Sequence, residues 1–160
     1  MNHLQRFRDA QNDEASGFAK ALDEVRRGHK HGHWIWYVFP QLRGLGRSVM
    51  SETFGLDGEA EAIAYLLDAE LRERLLTISS ALAAQRERHV SLSTVMGSRL
   101  DAAKVISSMT LFGEVARRLR DRESCRECDA LAQTAATILA WGQDEGLEPC
   151  VFTRAQLSQP

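Results

Sequence analysis

Apolar residues recur along most of this chain at the three- and four-residue spacing of an amphipathic helix, and a second convincing strand is absent. Ala15, Phe18, Leu22 and Val25 form the first stripe and predict a helix from about Asp13 to Arg27, with Asn12 as its cap and Asp13 and Glu14 in its first turn. Arg26, Arg27 and Gly28 suit its C-terminus. Leu71, Leu75, Ile78 and Leu82 make a strict stripe in a helix capped by Asp68, and Asp57 suits the cap of the helix before it, from Gly58 to about Leu67. A short helix or turn over Ser48 to Phe54 and a single turn from Ser91 or Ser93 to Gly97 fill the intervals.

Ser98 and Asp101 resemble a capping box, and the helix they open carries Val105, Met109, Phe112, Ala116 and Leu119 on one face. Arg120 to Glu123 reads as a solvated hinge. The last long helix spans roughly Glu127 to Glu145, with Leu131, Ala135, Ile138 and Leu139 inward and Gly146 as its stop. The tail from Glu148 to Thr153 reads as extended and anchored by Phe152. These elements predict an all-α fold, a compact bundle of about six to eight helices in one domain over the whole chain, with the extended tail starting near Leu147.

One stretch does not resolve by period. His33-Trp34-Ile35-Trp36-Tyr37-Val38-Phe39-Pro40-Gln41 has apolar residues at both alternations, which suits a buried strand or a buried helix. The lack of a partner strand favours helix, and Pro40 ends it near Phe39.

Composition narrows the function classes. A net charge of -2 lacks the basic excess of a nucleic-acid binder, so no nucleic acid is expected as partner. No apolar run reaches the length of a membrane span, and the N-terminus carries no apolar signal core; the expectation is a cytoplasmic protein with no membrane association. Cys125 and Cys128 form a C-x-x-C, with Cys150 as the remaining cysteine. That is short of the four ligands of a structural zinc site and lacks the preceding strand of a redox motif, so exposed or half-buried thiols are expected, with no metal and no cofactor. His29-Lys30-His31 reads as a solvated loop rather than a metal tract.

The candidate chemistry gathers around the aromatic stretch. Trp34, Trp36 and Tyr37 can wall a pocket that stacks a flat heterocycle, with Gln41 beside them. Lys104 can meet a phosphate or carboxylate, and His33 can act as acid or base near neutral pH; these two are the candidate catalytic residues. Gly44, Gly46 and Ser48 form a loop that can turn backbone N–H groups to an anion, although the pattern is short of a full phosphate fingerprint. Asp101 lies one turn from Lys104 and pairs with it across the helix face, and Ser108 and Thr110 continue that helix as ligand-binding candidates. Each has a plainer reading: core tryptophans, a tight interhelical turn, a surface ion pair.

Ala10-Gln11, the His33 to Gln41 run, Gly44-Leu45-Gly46-x-Ser48 and Ser107-Ser108-Met109-Thr110-Leu111-Phe112 occur in that order. Together they resemble the bacterial domain-of-unknown-function family DUF1810, over about Leu4 to Leu157. Its members often carry the name calpastatin, which the globular composition here does not fit. The resemblance implies an all-α single domain and no established activity. The chain departs from the family pattern at Ser16-Gly17, where an aromatic is usual, and its ending looks like the actinobacterial branch. In style it is distantly similar to helical domains that process NAD and ADP-ribose.

Two functions follow as expectations. The first is a binder or hydrolase of a small anionic, nucleotide-like ligand of ADP-ribose or NAD type, acting on an N-glycosidic or phosphate-ester bond if catalytic. The second is a non-catalytic helical interaction module that works through a charged face such as Arg117-Arg118-Leu119-Arg120. Oligomeric state has no sequence signal.

Overall fold

The computed structural model describes residues 3–122 and 125–158. Those residues form ten α-helices: α1 (Gln5–Gln11), α2 (Phe18–Arg27), α3 (Ile35–Val38), α4 (Val49–Phe54), α5 (Gly58–Leu67), α6 (Ala69–Gln85), α7 (Leu92–Val95), α8 (Arg99–Leu119), α9 (Cys128–Asp144) and α10 (Val151–Leu157). A 3-10 turn covers Arg86–Arg88, and the β-type pairing among the described residues is one parallel bridge between Leu42 and Leu56. The fold is all-α, with more helices than the six to eight expected. The excess comes from α1 and from α10, where an extended tail was predicted, while the predicted single turn after Ser91 is α7.

Helix α8 is the axis. It packs against α9 along its length and also touches α3, α5, α7 and α10, while α6 bridges α9 and α2. Its predicted face is buried, and so are Ser107, Ser108 and Thr110 on its other sides. Buried hydroxyls in the middle of the helix need partners, and Thr110 finds one by donating to the Ile106 carbonyl at 2.7 Å. The α8–α9 approach is close because both sides are small: a Cβ on Gly113 would lie 3.0 Å from the Ala135 Cβ.

The predicted start of the second helix is corrected. The chain breaks between α1 and α2 because the Asp13 carboxylate accepts from the Ala15 and Ser16 N–H groups, making a turn instead of a first helical turn. Gly17 then passes so near the Gln11 and Asp13 carbonyls that a Cβ would come within 2.3 Å of both. The other end agrees with prediction: Gly28 is left-handed at φ 84° and closes α2. The Ser98, Asp68 and Ser91 caps accept the expected backbone N–H groups. Asp57 does not cap α5; instead the Glu61 carboxylate accepts the Asp57 N–H at 2.6 Å. Glu123, placed in the solvated hinge, lies outside the described residues.

Cys125 and Cys128 are corrected too. Both are fully buried at the entry to α9, and their sulfurs are joined in a disulfide. No helix among the described residues is long and apolar enough to cross a membrane.

Candidate functional site

The aromatic stretch divides by face once α3 forms. Trp34 is fully buried, and its indole N–H donates to Glu24 at 3.1 Å. Tyr37 is buried on the same side of the fold, its hydroxyl donating to the Ser16 carbonyl at 2.6 Å. The Gln11 amide donates to the Tyr37 carbonyl at 2.7 Å and to the Tyr65 hydroxyl at 3.1 Å, which fastens α1 to α3. Trp34 and Tyr37 are therefore core side chains and not the ligand wall expected of them. Trp36 points elsewhere. It is half-buried, the Lys104 ammonium sits 4.9 Å from its ring centroid, and its Nε1 is buried without a hydrogen-bond partner.

Trp36 stands at a cleft of three walls. One wall is the Leu100, Ala103, Lys104, Ser107 stripe of α8, and another is Gly146 to Cys150 after α9. The remaining wall is Gln41, Leu45 and Gly46 with Ser51 of α4, and the enclosed volume is about 410 Å³. A hollow of about 10 Å³ adjoins it, sharing Gln41, Leu45, Gly46 and Ser51 and adding Trp36, Leu42, Phe54 and Gly55. The Leu42–Leu56 bridge pins this wall: the Gln41 carbonyl accepts the Leu56 N–H at 2.8 Å, and the Arg43 N–H donates to the Leu56 carbonyl at 2.9 Å. The Gln41 side-chain amide is left free for a ligand. Gly46 is required here because a Cβ would lie 2.4 Å from the Ser51 hydroxyl.

Lys104 is positioned by charge. Its ammonium lies 3.2 Å from Asp101, and the buried Lys30 holds the other Asp101 oxygen at 2.7 Å. Burial would raise the Asp101 carboxyl, but the two ammoniums outweigh it and hold the group below the ordinary carboxylate range. One carboxylate thus serves two cations, which leaves Lys104 positive charge to offer at the cleft. Exposed Glu148 brings one carboxylate to the lining and accepts from the Gln143 amide at 3.3 Å.

Cys150 is the free cysteine, half-buried in the wall, and its backbone N–H donates to Thr110 at 3.1 Å. Burial pushes its thiol up. The Thr153 hydroxyl and N–H, the Ser107 hydroxyl and the Phe152 N–H pull it down further, so the net position is below the usual thiol range.

Of the predicted site residues, the structure therefore brings Gln41, Gly46 and Lys104 to one cleft, with Trp36 in the adjoining hollow and Asp101 paired with Lys104. It does not bring the others. His33 is exposed and lines neither space. Gly44, at φ 106°, is covered by Phe152, whose Cζ would be 3.1 Å from a Cβ there. Ser48 caps α4 by accepting the Ser51 N–H at 3.1 Å, so that donor is already used. Ser108 is fully buried with an unpartnered hydroxyl, and Thr110 belongs to a separate groove between α8, α9 and α10. Residues the sequence reading left out of the site are Leu45, Ser51, Leu100, Ser107, Glu148 and Cys150, with Lys30 as the second partner of Asp101. The α8 members had a signal: Leu100, Ala103, Lys104 and Ser107 are one i, i+3, i+4, i+7 stripe. His29 and His31 stack at 4.5 Å, and no cluster of three metal-ligating side chains occurs among the described residues.

The family described as protein of unknown function DUF1810 matches residues 1–128. A conserved hypothetical protein from Mycobacterium tuberculosis, known from a crystal structure, is similar at 32% identity and a TM-score of 0.78, over 98% of this chain and 97% of that one. No curated protein matches in sequence. The chain belongs to the DUF1810 family.

Proposed function

We propose that this DUF1810 member binds a small anionic, nucleotide-like ligand, of ADP-ribose or NAD type, in the cleft between α8, the α3–α4 loop and the segment before α10. The observation that carries the reading is the Lys104 ammonium held over the face of half-buried Trp36, next to the free Gln41 amide. A phosphate needs a cation, a flat ring needs an apolar face, and a base edge needs an amide; Lys104 and Gln41 line one drug-sized space, and Trp36 lies against Lys104 in the hollow that adjoins it. Leu100, 76% exposed on the lip, is apolar surface that a bound ligand would cover. His33 stands outside the lining, so the reading rests on binding. If the cleft is catalytic, with hydrolysis of an N-glycosidic or phosphate-ester bond, Lys104 rather than His33 is the group to stabilise developing negative charge.

The test is a thermal-shift series with AMP, NAD and ADP-ribose on the purified protein. A ligand at about 100 times its Kd adds about 2.7 kcal/mol, a rise of a few degrees. Lys104→Ala should abolish that rise while moving the free protein by less than about 0.5 kcal/mol, since Asp101 keeps Lys30. The same ligand should slow the modification of Cys150 by a thiol reagent. No rise with any compound, or a rise that survives in the variant, defeats the reading.

A second reading has its own observation. The groove between α8, α9 and α10 encloses about 360 Å³, with Gly113, Ala132 and Ala136 among its lining and Arg117, Arg118 and Arg154 around it. Arg117 and Arg118 share Glu114, whereas Arg154 has no side-chain partner among the described residues. A non-catalytic interaction module would offer this groove to an acidic helix of a partner. Arg154→Glu would then release the partner and leave every thermal shift of the cleft unchanged.

A further inference from the structure

Trp36 Nε1 is a buried donor without an acceptor, one of three such side-chain atoms among the described residues. Buried polar groups are nearly always paired, so each exception calls for an explanation. Trp36 also lines a small space. The hollow of about 10 Å³ that Trp36 lines is the size of a single oxygen-sized occupant, and it shares Gln41, Leu45, Gly46 and Ser51 of its lining with the cleft.

The chemistry of the hollow restricts what fills it. The occupant has to accept from an indole N–H, which can only donate. Leu42, Leu45 and Phe54 make much of the remaining surface apolar, so a charged oxygen would be desolvated there and a neutral one is preferred. Ser51 does not accept from the indole: Trp36 Nε1 has no partner, and the Ser51 hydroxyl pairs with that of Ser48 at 2.8 Å. Gln41 lines both spaces, and its free amide carries a donor and an acceptor side by side. A ligand that satisfies both residues presents a carbonyl to Trp36 and a neighbouring N–H to Gln41.

We infer that the hollow adjoining the cleft is a subsite for a lactam or carboxamide edge, read by the Trp36 indole N–H and the Gln41 amide while Lys104 holds the ligand's anionic group. The inference rests on the cleft being a ligand site and adds the class of base it selects. A lactam base or the nicotinamide carboxamide of an NAD-type ligand fits, whereas the adenine of AMP or ADP-ribose turns an amino group toward the indole donor and is held less tightly. Selection of this kind is strong because the rejected ligand leaves the buried N–H unpaired.

Inosine monophosphate and adenosine monophosphate are the probes. They have the same charge and ring system, and position 6 is a carbonyl beside an N–H in the first and an amino group in the second. Titration followed by calorimetry and by the indole N–H resonances of Trp34, Trp36 and Trp141 reads both the affinity and the contact. Inosine monophosphate should bind about tenfold more tightly, roughly one hydrogen bond's discrimination. The Trp36 indole proton should move downfield at saturation while that of Trp34 stays in place. Trp36→Phe keeps an aromatic face under Lys104 and should bring the two affinities within about twofold of each other.

Equal affinities in the natural chain, a preference that survives Trp36→Phe, or a Trp36 indole resonance unmoved at saturation would each overturn the subsite, the last meaning that the hollow holds water only. The indole shift is read on the unaltered chain, so the outcome does not depend on the variant folding. If both nucleotides bind equally and Lys104→Ala abolishes both, the cleft reading stands and the subsite fails. If neither binds the natural chain, both fail.

Discussion

Truncating Trp34 to alanine lowers the free energy of unfolding by about 3–5 kcal/mol, whereas truncating Trp36 costs about 1–2 kcal/mol. The two differ because only Trp34 is wholly inside. It has no exposed surface, packs at 6.3 Å against Phe39 and lies under the Lys30 ammonium at 5.1 Å. Its loss opens a cavity and strips the Glu24 carboxylate of a donor. Trp36 is half-buried and touches a cleft that solvent already reaches, so truncation there leaves a wider cleft and no sealed void. Urea denaturation of both variants checks this. Equal losses would show that the segment does not divide into a core side and a cleft side.

Replacing Glu24 with glutamine costs about 2–4 kcal/mol at neutral pH. The carboxylate is buried and collects three donors: the His31 N–H at 2.9 Å, the Gly32 N–H at 2.6 Å and the Trp34 indole N–H. Glutamine keeps the shape and can set its carbonyl where Oε1 accepts all three donors, but it loses the charge and turns its amino group toward the Gly32 N–H at the Oε2 position. The same site makes stability depend on acid. Burial would raise the Glu24 carboxyl; the Gly32, His31 and Trp34 donors together outweigh it and hold the group below the ordinary carboxylate range. A carboxyl lowered on folding contributes its stabilisation above the unfolded value and loses it as the pH falls through the folded value. The gap between the natural chain and Glu24→Gln should therefore be full at pH 7 and close as the solution is taken down through the carboxylate range. A gap independent of pH would mean that the charge contributes nothing.

The long helices were legible because period and cap agreed. In α6 and α8 the apolar stripe and the Asp68 and Ser98 caps point to the same boundaries, and local agreement of that kind is what propensity can read. The α1–α2 break was not legible, since Asn12, Asp13 and Glu14 have the composition of a cap and an acidic first turn. Only the backbone path shows Asp13 turned onto Ala15 and Ser16 instead. The tail was misread for a related reason. Pro149 suggests an extended end, but Thr153 and Leu157 are both buried and make one helical turn worth docking. At the site, Gln41 and Lys104 were legible from their chemistry. The separation of Trp34 from Trp36 was not, because every residue between Trp34 and Phe39 is apolar and period alone cannot say which ring faces Lys104.

The cleft is assembled from two parts of the chain with different standing. Trp36, Gln41, Gly46 and Lys104 lie within the stretch that matches the family, residues 1–128, whereas the wall from Gly146 to Cys150 lies beyond it. That wall is tied to α8 by the Cys150 N–H to Thr110 and by Arg99 to the Gly146 carbonyl, and Phe152 covers Gly44 of the α3–α4 loop. On the reading proposed above, floor and closing wall come from separate stretches of the chain, so a short C-terminal cassette can be exchanged while Lys104 and Gln41 stay in place. The same modularity makes that cassette the natural unit to exchange between relatives when a new ligand preference is wanted, since the Trp34 core and the Glu24 anchor lie elsewhere and go untouched.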